Sequence, residues 1–321
     1  MKRLVSLLLS CLLLSSCGTI VTPAKTPPEH LVSEAPPAQV LPAPGEMPEL
    51  LPDSQEAGGE NASEPSPEEG GGTPVETLPE PQRVVDPTRP LVALTFDDGP
   101  HAVYTDQILD ILEEHGAVAT FFEVARNLPK APEAVRRAAD MGCEIGSHTQ
   151  DHADLVKADA DTFRQQIQQA DENILKAIGR YPYFLRPPYG DFNDDVRRHV
   201  GKPLAFWSVD TKDWKTRNTA CTVSAALNNI EDGDVVLMHD IYGETADAVA
   251  QIVPSLVQQG YQLVTLSELT YYRGVEMENG MIVFNMHPAK PNYKLPPDPD
   301  VPEPETTAPA AETTTETAAA Q

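Results

Sequence analysis

The segment Leu91–Pro100, "LVALTFDDGP", ends an apolar run with two adjacent carboxylates and a Gly-Pro turn. An apolar run of this length followed by turn residues is typical of a buried strand. Two neighbouring carboxylates have no packing role in such a strand. Successive side chains of a strand point to opposite faces, so we expect Asp97 and Asp98 to occupy different environments.

Six further short apolar runs follow, and they alternate with amphipathic segments. The strand candidates are "AVATFFEV", "CEIGSH", "YFLRPP", "LAFWSV", "DVVLMH" and "YQLVTL". The helix candidates are "YTDQILDILEEHG", "APEAVRRAADMG", "DADTFRQQIQQADENILKAIG", "TACTVSAALNNI" and "ETADAVAQIVPSLVQQG". Seven strands, most of them followed by a helix, predict an α/β fold with a parallel sheet and outer helices, either a barrel or a doubly wound sheet.

The N-terminus has the pattern of a secretory signal. Two basic residues precede the apolar run 4–14, which is too short for a membrane-spanning helix. The following Leu14-Ser15-Ser16-Cys17 resembles a bacterial lipobox, in which the cysteine is acylated after cleavage. We therefore predict a lipoprotein-type signal over 1–17, lipidation of Cys17 and an extracytoplasmic, membrane-anchored protein. The alternative is an ordinary cleaved signal with an incidental cysteine.

Two acidic, proline-rich segments flank the predicted domain. Residues 18–85 hold 14 prolines and 12 acidic residues, and residues 296–321 hold six of each. Such segments bury too little apolar surface to offset the entropy of ordering, so we predict a disordered linker and a disordered tail around a domain at 86–295. The chain's formal net charge of -26 argues against a nucleic-acid partner. The sequence indicates no protein partner.

The domain retains two cysteines, Cys143 and Cys221. In an exported protein they could form a disulfide, but sequence alone does not place them within bonding distance. Cys143, in the run "GCEIG", is equally compatible with a small core residue. The sequence leaves both possibilities open.

Unusual polar residues follow five of the predicted strands. The carboxyl ends of parallel strands meet at one rim of an α/β barrel, where active sites are built. We therefore expect these side chains to converge: Asp97 and Asp98; His148 and His152; Arg186; Asp210, Asp213 and Trp214; Leu237, His239 and Asp240. Individually each has an ordinary structural explanation, such as a surface cation, a helix cap or a satisfied core histidine.

The segment "GSHTQDHADL" carries the candidate metal ligands. His148 and His152 are four residues apart, a spacing that predicts both imidazoles on one face of a single helical turn. Two imidazoles and one carboxylate, with a position left for water, are typical of a catalytic Zn²⁺ site. Co²⁺ and Ni²⁺ suit the same ligands. Without the Asp-Asp pair, two surface histidines would be an equally good interpretation.

Five short motifs carry a family resemblance. "TFDDGP", "SHTQDH", "RPPYG", "DTKDW" and "LMH" occur in the order and near the spacing of the polysaccharide deacetylase family (the NodB-homology domain, carbohydrate esterase family four). The resemblance covers about residues 91–269 and implies a distorted (β/α) barrel of about seven strands. The chain is most similar to bacterial peptidoglycan N-acetylglucosamine deacetylases. It departs from the common family pattern at Ser147 and Ala153, where many members have Asn and Pro.

For the metal-binding half of the site, the resemblance implies one divalent metal ion, with Zn²⁺ favoured. Asp98, His148 and His152 match the family's metal ligands. Asp97 matches the general base, and Arg186 matches the residue that orients this base.

The remaining matched residues surround the reacting acetyl group. His239 resembles the family's general acid, and Asp213 resembles the residue that sets the charge of this histidine. Trp214 and Leu237 resemble the apolar walls around the acetyl methyl group. The backbone at Tyr189 resembles the donor to the oxyanion.

The resulting hypothesis is a metal-dependent hydrolase that removes N-acetyl groups from glycan. An anchored surface enzyme meets the cell wall first, which favours N-acetylglucosamine residues of peptidoglycan as substrate. Deacetylation of chitooligosaccharide and hydrolysis of O-acetyl groups on xylan are the alternatives within the enzyme class. The non-enzyme alternative is a glycan-binding lipoprotein with the same fold.

Overall fold

The computed structural model describes residues 83–295, which contain nine strands and eight α-helices. The strands are β1 (Leu91–Asp97), β2 (Thr120–Glu123), β3 (Glu144–Ser147), β4 (Leu204–Ala205), β5 (Val209–Asp210), β6 (Val235–His239), β7 (Gln262–Leu263), β8 (Ile282–Asn285) and β9 (Asn292–Lys294). The helices are α1 (Tyr104–Glu114), α2 (Pro132–Asp140), α3 (Ala160–Ile178), α4 (Asp194–His199), α5 (Asp213–Thr216), α6 (Thr219–Leu227), α7 (Gly243–Gln258) and α8 (Leu266–Tyr272). Short 3-10 helices span Ala125–Lys130 and Pro188–Gly190.

The main sheet is parallel and has the order β3-β2-β1-β6-β5, with β7 also paired to β1. Isolated parallel bridges connect Ser147 to Leu185 and Leu185 to Leu204. These bridges continue the pairing from β3 towards β4, and the chain then returns through β5 to β6. The result is a distorted (β/α) barrel, as the sequence predicts.

Alternation along β1 separates two hydrophobic layers. Val92, Leu94 and Phe96 belong to the cluster that packs against the helices α1, α2 and α7. Leu91 and Ala93 belong to a second cluster, which includes residues of β6 and β8. Because side chains alternate along a strand, Thr95 and Asp97 continue the second set towards the carboxyl end. This alternation directs the carboxylate of Asp97 into the barrel.

The strands differ from the prediction where the barrel is distorted. The candidate "YFLRPP" forms only the isolated bridges at Leu185. The candidate "LAFWSV" is two strands, because β4 pairs with β8 whereas β5 pairs with β6. The hairpin of β8 and β9 was not predicted. β9 is exposed along its whole length and lacks an apolar pattern, whereas β8 is a short, largely buried apolar run that the sequence reading left unassigned.

Several sequence predictions lie outside the described residues: the signal over 1–17, lipidation of Cys17, nearly all of the linker and the tail 296–321. Within the described part, ordered contacts already begin at Arg83, whose Nε donates to Glu268 of α8 over 3.1 Å. Cys143 is buried and Cys221 is exposed, and both are free thiols, so they do not form the disulfide that the sequence left open. Among residues 83–295, no helix combines the length and hydrophobicity needed to cross a bilayer.

Candidate functional site

A buried ion pair holds the first aspartate. Asp97 is the last residue of β1 and is 4% exposed, and its Oδ1 accepts a hydrogen bond from Arg186 Nη1 over 2.7 Å. The guanidinium of Arg186 is fully buried and also donates to Thr95 Oγ1 and to the carbonyl oxygens of Ala205 and Phe206. Burial raises the pKa of Asp97, and the charge of Arg186 opposes that rise. Oδ2 is the oxygen left facing the pocket.

The second aspartate lies in the turn that follows β1. Asp98 has a left-handed backbone with φ of 74°. Asn127 Nδ2 donates to the carbonyl oxygen of Asp98 over 3.0 Å, which holds the turn in place. Asp98 Oδ1 lies 3.6 Å from His148 Nε2 and 3.3 Å from His152 Nε2. Asp98 therefore faces both histidines.

The two histidines converge through a loop, so the predicted helical turn is wrong. Residues 148–154 contain no helix, and Thr149 and His152 have left-handed φ values of 66° and 61°. The backbone N–H of His148 donates to the carbonyl oxygen of Glu123, which aligns the loop with the end of β2. Polar residues directly after a buried strand satisfy their backbone through such loop contacts. The spacing of the two histidines correctly predicted that their imidazoles lie close together, but a loop and not a helical turn brings them there.

The three side chains fit a metal site. One ligand atom from each of Asp98, His148 and His152 lies within 4.8 Å of the others. His148 Nδ1–H donates to the carbonyl oxygen of Arg186 over 2.7 Å, which leaves Nε2 as the free lone pair. Burial lowers the pKa of His148 to about 3, so its imidazole is neutral, as a metal ligand requires. The donor set of one carboxylate oxygen and two imidazole nitrogens suits a divalent transition metal.

A second charged pair lies on the neighbouring strand. The register of β1 and β6 pairs Asp97 with His239. His239 Nδ1–H donates to Asp213 Oδ1 over 2.8 Å, and Asp213 Oδ2 accepts from Thr245 Oγ1 over 2.8 Å. Burial opposes the charge of His239, but the hydrogen bond to Asp213 and the nearby carboxylates, Asp97 and Asp98 among them, together raise its pKa to about 9. His239 is therefore protonated at neutral pH.

The two aspartates Asp97 and Asp98 and the three histidines line a pocket of about 400 Å³. Leu237 is buried in its wall, whereas Tyr189 and Trp214 are 72% and 49% exposed at its mouth. Eight of the ten residues that the motifs predict for the site line this pocket, and the other two, Arg186 and Asp213, contact Asp97 and His239. Trp207 and Tyr242 also line the pocket, and sequence reasoning missed their role. Only the position of Trp207 in the predicted strand "LAFWSV" could have suggested it.

Two further carboxyl groups are buried beside the site. Glu123 is 1% exposed, and neither of its oxygens is hydrogen-bonded to any of residues 83–295. Asp240 accepts a short hydrogen bond from Thr105 Oγ1, and a Cβ on Gly99 would lie 2.5 Å from its oxygens. Burial, together with the charges of Asp240 and Asp97, raises the pKa of Glu123 well above its usual range. Burial raises the pKa of Asp240 to about 7.

Comparison with known proteins relates this arrangement to a family. The family model described as polysaccharide deacetylase matches residues 85–203. The peptidoglycan-N-acetylmuramic acid deacetylase PdaC of Bacillus subtilis is 40% identical over 188 residues, which are 59% of this chain and 40% of that protein. The chain therefore spans about two fifths of the length of PdaC. A peptidoglycan-N-acetylglucosamine deacetylase of Bacillus cereus is 35% identical over 57% of this chain and 89% of its own length.

A solved structure has the same fold. The family 4 acetyl xylan esterase from Clostridium thermocellum, in complex with a cobalt ion, has a TM-score of 0.55 and 31% identity to this chain. The similarity covers 62% of this chain and 95% of the esterase. The family model, the identity to these relatives and the shared fold confirm the resemblance and the fold that the sequence predicts. The chain belongs to the polysaccharide deacetylase family.

Proposed function

We propose that the protein is a metal-dependent hydrolase that removes N-acetyl groups from glycan, most readily from N-acetylglucosamine residues of peptidoglycan. One observation carries the proposal: a candidate metal site, a buried Asp-Arg pair and a protonated histidine face the same pocket. Hydrolysis of an amide needs an activated water, stabilisation of the oxyanion and an acid for the departing nitrogen. The pocket contains a candidate for each requirement.

Asp97 is the proposed general base. Its Oδ1 is engaged by Arg186, so Oδ2 is the oxygen that accepts a proton from the attacking water. Arg186 is a positioning residue, because its guanidinium makes four hydrogen bonds to side-chain and backbone oxygens, and the one to Asp97 fixes the direction of the carboxylate. The water oxygen adds to the acetyl carbonyl carbon as its proton moves to Asp97.

Asp98, His148 and His152 are the proposed metal ligands. When bound, the cation supplies Lewis-acid activation of the water and of the carbonyl oxygen. Zn²⁺ is the proposed native ion, because a site with two imidazoles and one carboxylate is typical of catalytic zinc. The Irving–Williams order and the mixed donor set leave Co²⁺ and Ni²⁺ as functional substitutes.

His239 is the proposed general acid. It donates its Nε2 proton to the amide nitrogen as the bond between carbon and nitrogen breaks, which releases acetate and a free amine. Asp213 holds the ring through Nδ1 and stabilises its charged form. A charged acid favours an amide substrate over an ester, since an amide nitrogen is the poorer leaving group.

The acetyl group is placed by apolar walls and the backbone. Leu237 and Trp214 are the proposed contacts of its methyl group, and the backbone at Tyr189 is the proposed donor to the oxyanion. The ring of Tyr189 packs edge-on against His152 with centroids 4.7 Å apart. This contact supports a position of Tyr189 next to His152, one of the proposed metal ligands.

The proposed location is extracytoplasmic. The named activities of the Bacillus relatives concern the cell wall, and the N-terminal motif supports acylation of Cys17 and attachment to a membrane through lipid. The acidic, proline-rich segment that precedes Arg83 is proposed to be a tether between the anchor and the domain, whose ordered contacts begin at Arg83.

Acetate release from three substrates tests the proposal. Peptidoglycan, chitooligosaccharide and acetylated xylan are incubated side by side with the metal-loaded protein, with the chelated protein and with the Asp97→Asn variant. We expect release from peptidoglycan at the highest kcat/KM, and loss of release in both controls. Faster release from chitooligosaccharide or xylan would assign the corresponding alternative activity. Binding of glycan without acetate release from any substrate would favour the non-enzyme alternative.

A further inference from the structure

A second cleft opens from the metal-binding side of the site. It has a volume of about 460 Å³ and shares Asp98 and His152 with the pocket described above. Its remaining lining includes Arg126 and Lys130 of the 3-10 helix 125–130. We call this space the basic cleft. The two spaces therefore meet at two of the proposed metal ligands, so the basic cleft is open to a polymer bound in the pocket.

Hydrogen bonds fix the basic cleft to the metal-binding loops. The backbone N–H of Arg126 donates to the carbonyl oxygen of Gln150 over 3.0 Å. Lys130 Nζ donates to Asn127 Oδ1 over 2.7 Å, while Asn127 Nδ2 donates to the carbonyl oxygen of Asp98. The backbone at Arg126 and the ammonium group of Lys130 are therefore held at a defined position relative to the proposed site of reaction.

The cations of the basic cleft are available to a ligand. Both side chains are exposed, and no carboxylate of residues 83–295 forms an ion pair with Arg126 or Lys130. In a chain with 49 acidic and 23 basic residues, seven other arginines of the described part pair with carboxylates, so the side chains of Arg126 and Lys130 differ from these in being open to a ligand. Two unpaired cations at one end of a substrate cleft would attract an anionic group.

We propose that the basic cleft binds a carboxylate on the sugar next to the reacting N-acetyl sugar, an inference that rests on the proposed function. In peptidoglycan the neighbour of each N-acetylglucosamine is a muramic residue, whose lactyl group is either a free carboxylate or extended by an acidic peptide. Chitin and xylan backbones have no such group at the neighbouring sugar. The basic cleft thereby selects wall glycan over neutral N-acetylated glycan.

Substitution of both cations tests this inference. The Arg126→Gln/Lys130→Gln variant is compared with the wild type on peptidoglycan tetrasaccharides, with a free lactyl carboxylate or with a peptide stem, and on chitotetraose. Each exposed ion pair contributes modestly, so we expect kcat/KM on the carboxylate-bearing substrates to fall roughly 5- to 10-fold, through KM. We expect chitotetraose to be unaffected. The substrate whose kcat/KM falls more, with the free lactyl group or with the peptide stem, identifies the source of the carboxylate.

A matched control carries the same change of charge elsewhere. Arg164→Gln/Lys176→Gln removes two exposed cations of α3 that pair with carboxylates of their own helix. We expect this control to behave as the wild type. Reduction of the lactyl carboxylate to an alcohol should lower kcat/KM of the wild type to the value of the Arg126/Lys130 variant. Equal losses on all substrates, or no loss on any, would overturn the inference.

Equilibrium binding separates this inference from the proposed function. The ligand is a glucosamine-muramic acid tetrasaccharide that already lacks the N-acetyl group on glucosamine, and affinity is measured by titration calorimetry. Weaker binding by the Arg126/Lys130 variant alone supports the basic cleft even if no acetate is released. Unchanged affinity contradicts it even if the protein proves to be a deacetylase.

Discussion

Asp97 and Asp98 are chemically identical neighbours whose surroundings differ completely. Asp97 ends β1, points into the barrel and is held by Arg186. Asp98 turns away through a left-handed backbone, at φ of 74°, and meets the two histidines. Strand alternation alone therefore does not explain the separation, because a left-handed turn is also required. Such a conformation is uncommon outside glycine and clusters at functional sites.

The two aspartates should respond differently to substitution by asparagine. Asp97→Asn should retain the metal and lose roughly 10²-fold or more in turnover, because the variant lacks a general base. Asp98→Asn should lose metal, because a neutral amide oxygen is a weaker ligand for a dication. Metal content and acetate release are measured on both variants. Equal metal loss, or near-normal turnover by Asp97→Asn, would contradict this division of roles.

The ligand assignment makes a parallel prediction for the histidines. His148→Ala and His152→Ala should each lose both metal and activity, because each variant removes one of three protein ligands. His199→Ala, an exposed histidine on α4, is the matched control and should keep both. Metal analysis of the purified proteins checks this expectation. Stoichiometric metal in either ligand variant would refute the assignment.

Asp213 should control the pH dependence of the reaction. The pKa of His239 is raised to about 9, so its acid form is present below that pH and is lost as the pH rises through it. Asp213→Asn removes a hydrogen bond and a charge that stabilise the acid form. The alkaline limb of kcat should therefore move to lower pH by roughly 1 unit or more. Asp210→Asn, half-exposed on β5, is the control whose profile should stay unchanged.

At the scale of elements, buried carboxyl groups at the ends of β2 and β6 destabilise the fold when they are charged. Glu123 ends β2 and Asp240 directly follows β6, and burial raises the pKa of both carboxyl groups. Neither oxygen of Glu123 is paired within the described part of the chain. Buried carboxyl groups without partners destabilise a fold unless they are protonated. The site region is therefore expected to be less stable at higher pH.

Glu123→Gln tests whether the buried carboxyl group of Glu123 makes the fold less stable at higher pH. Because the folded state binds a proton that the unfolded state releases above its usual pKa near 4.5, stability should fall as the pH rises above that value. Glutamine cannot ionise, so the melting temperature of the variant should decline less between about pH 5 and pH 8, leaving it a few degrees higher at the upper value. Part of the decline in melting temperature should remain, because Asp240 still ionises as the pH rises. Thermal unfolding at both pH values checks this, and Glu114→Gln, exposed on α1, should match the wild type.

At the scale of the whole molecule, the proposed lipid attachment determines where the site can act. A single acyl chain binds membranes only weakly, whereas several chains on one cysteine hold a protein firmly. The proline-rich, acidic segment between Cys17 and Arg83 would then be the spacer between membrane and domain. The reach of this spacer would limit which glycan strands the pocket can meet.

Cys17→Ala should release the protein from the membrane without harming the domain. The variant lacks the thiol at which lipid attachment is proposed, so it should partition into the aqueous phase of a detergent extraction. Its acetate release per mole should equal that of the wild type. If wild type and variant both partition into the aqueous phase, the lipoprotein prediction is wrong.

The sequence by itself determined the class of the fold and predicted most of the residues that line the pocket. Apolar runs and amphipathic segments reflect burial, which depends on local composition, so five helices and most strands were recognisable. Only the tertiary structure decided the loop geometry at His148 and His152, the split of "LAFWSV" into β4 and β5, and the presence of Trp207 in the pocket. Left-handed turns and strand partners depend on contacts between residues far apart in the chain, which no local pattern encodes. The basic cleft likewise exists only because the fold places Arg126 beside Asp98.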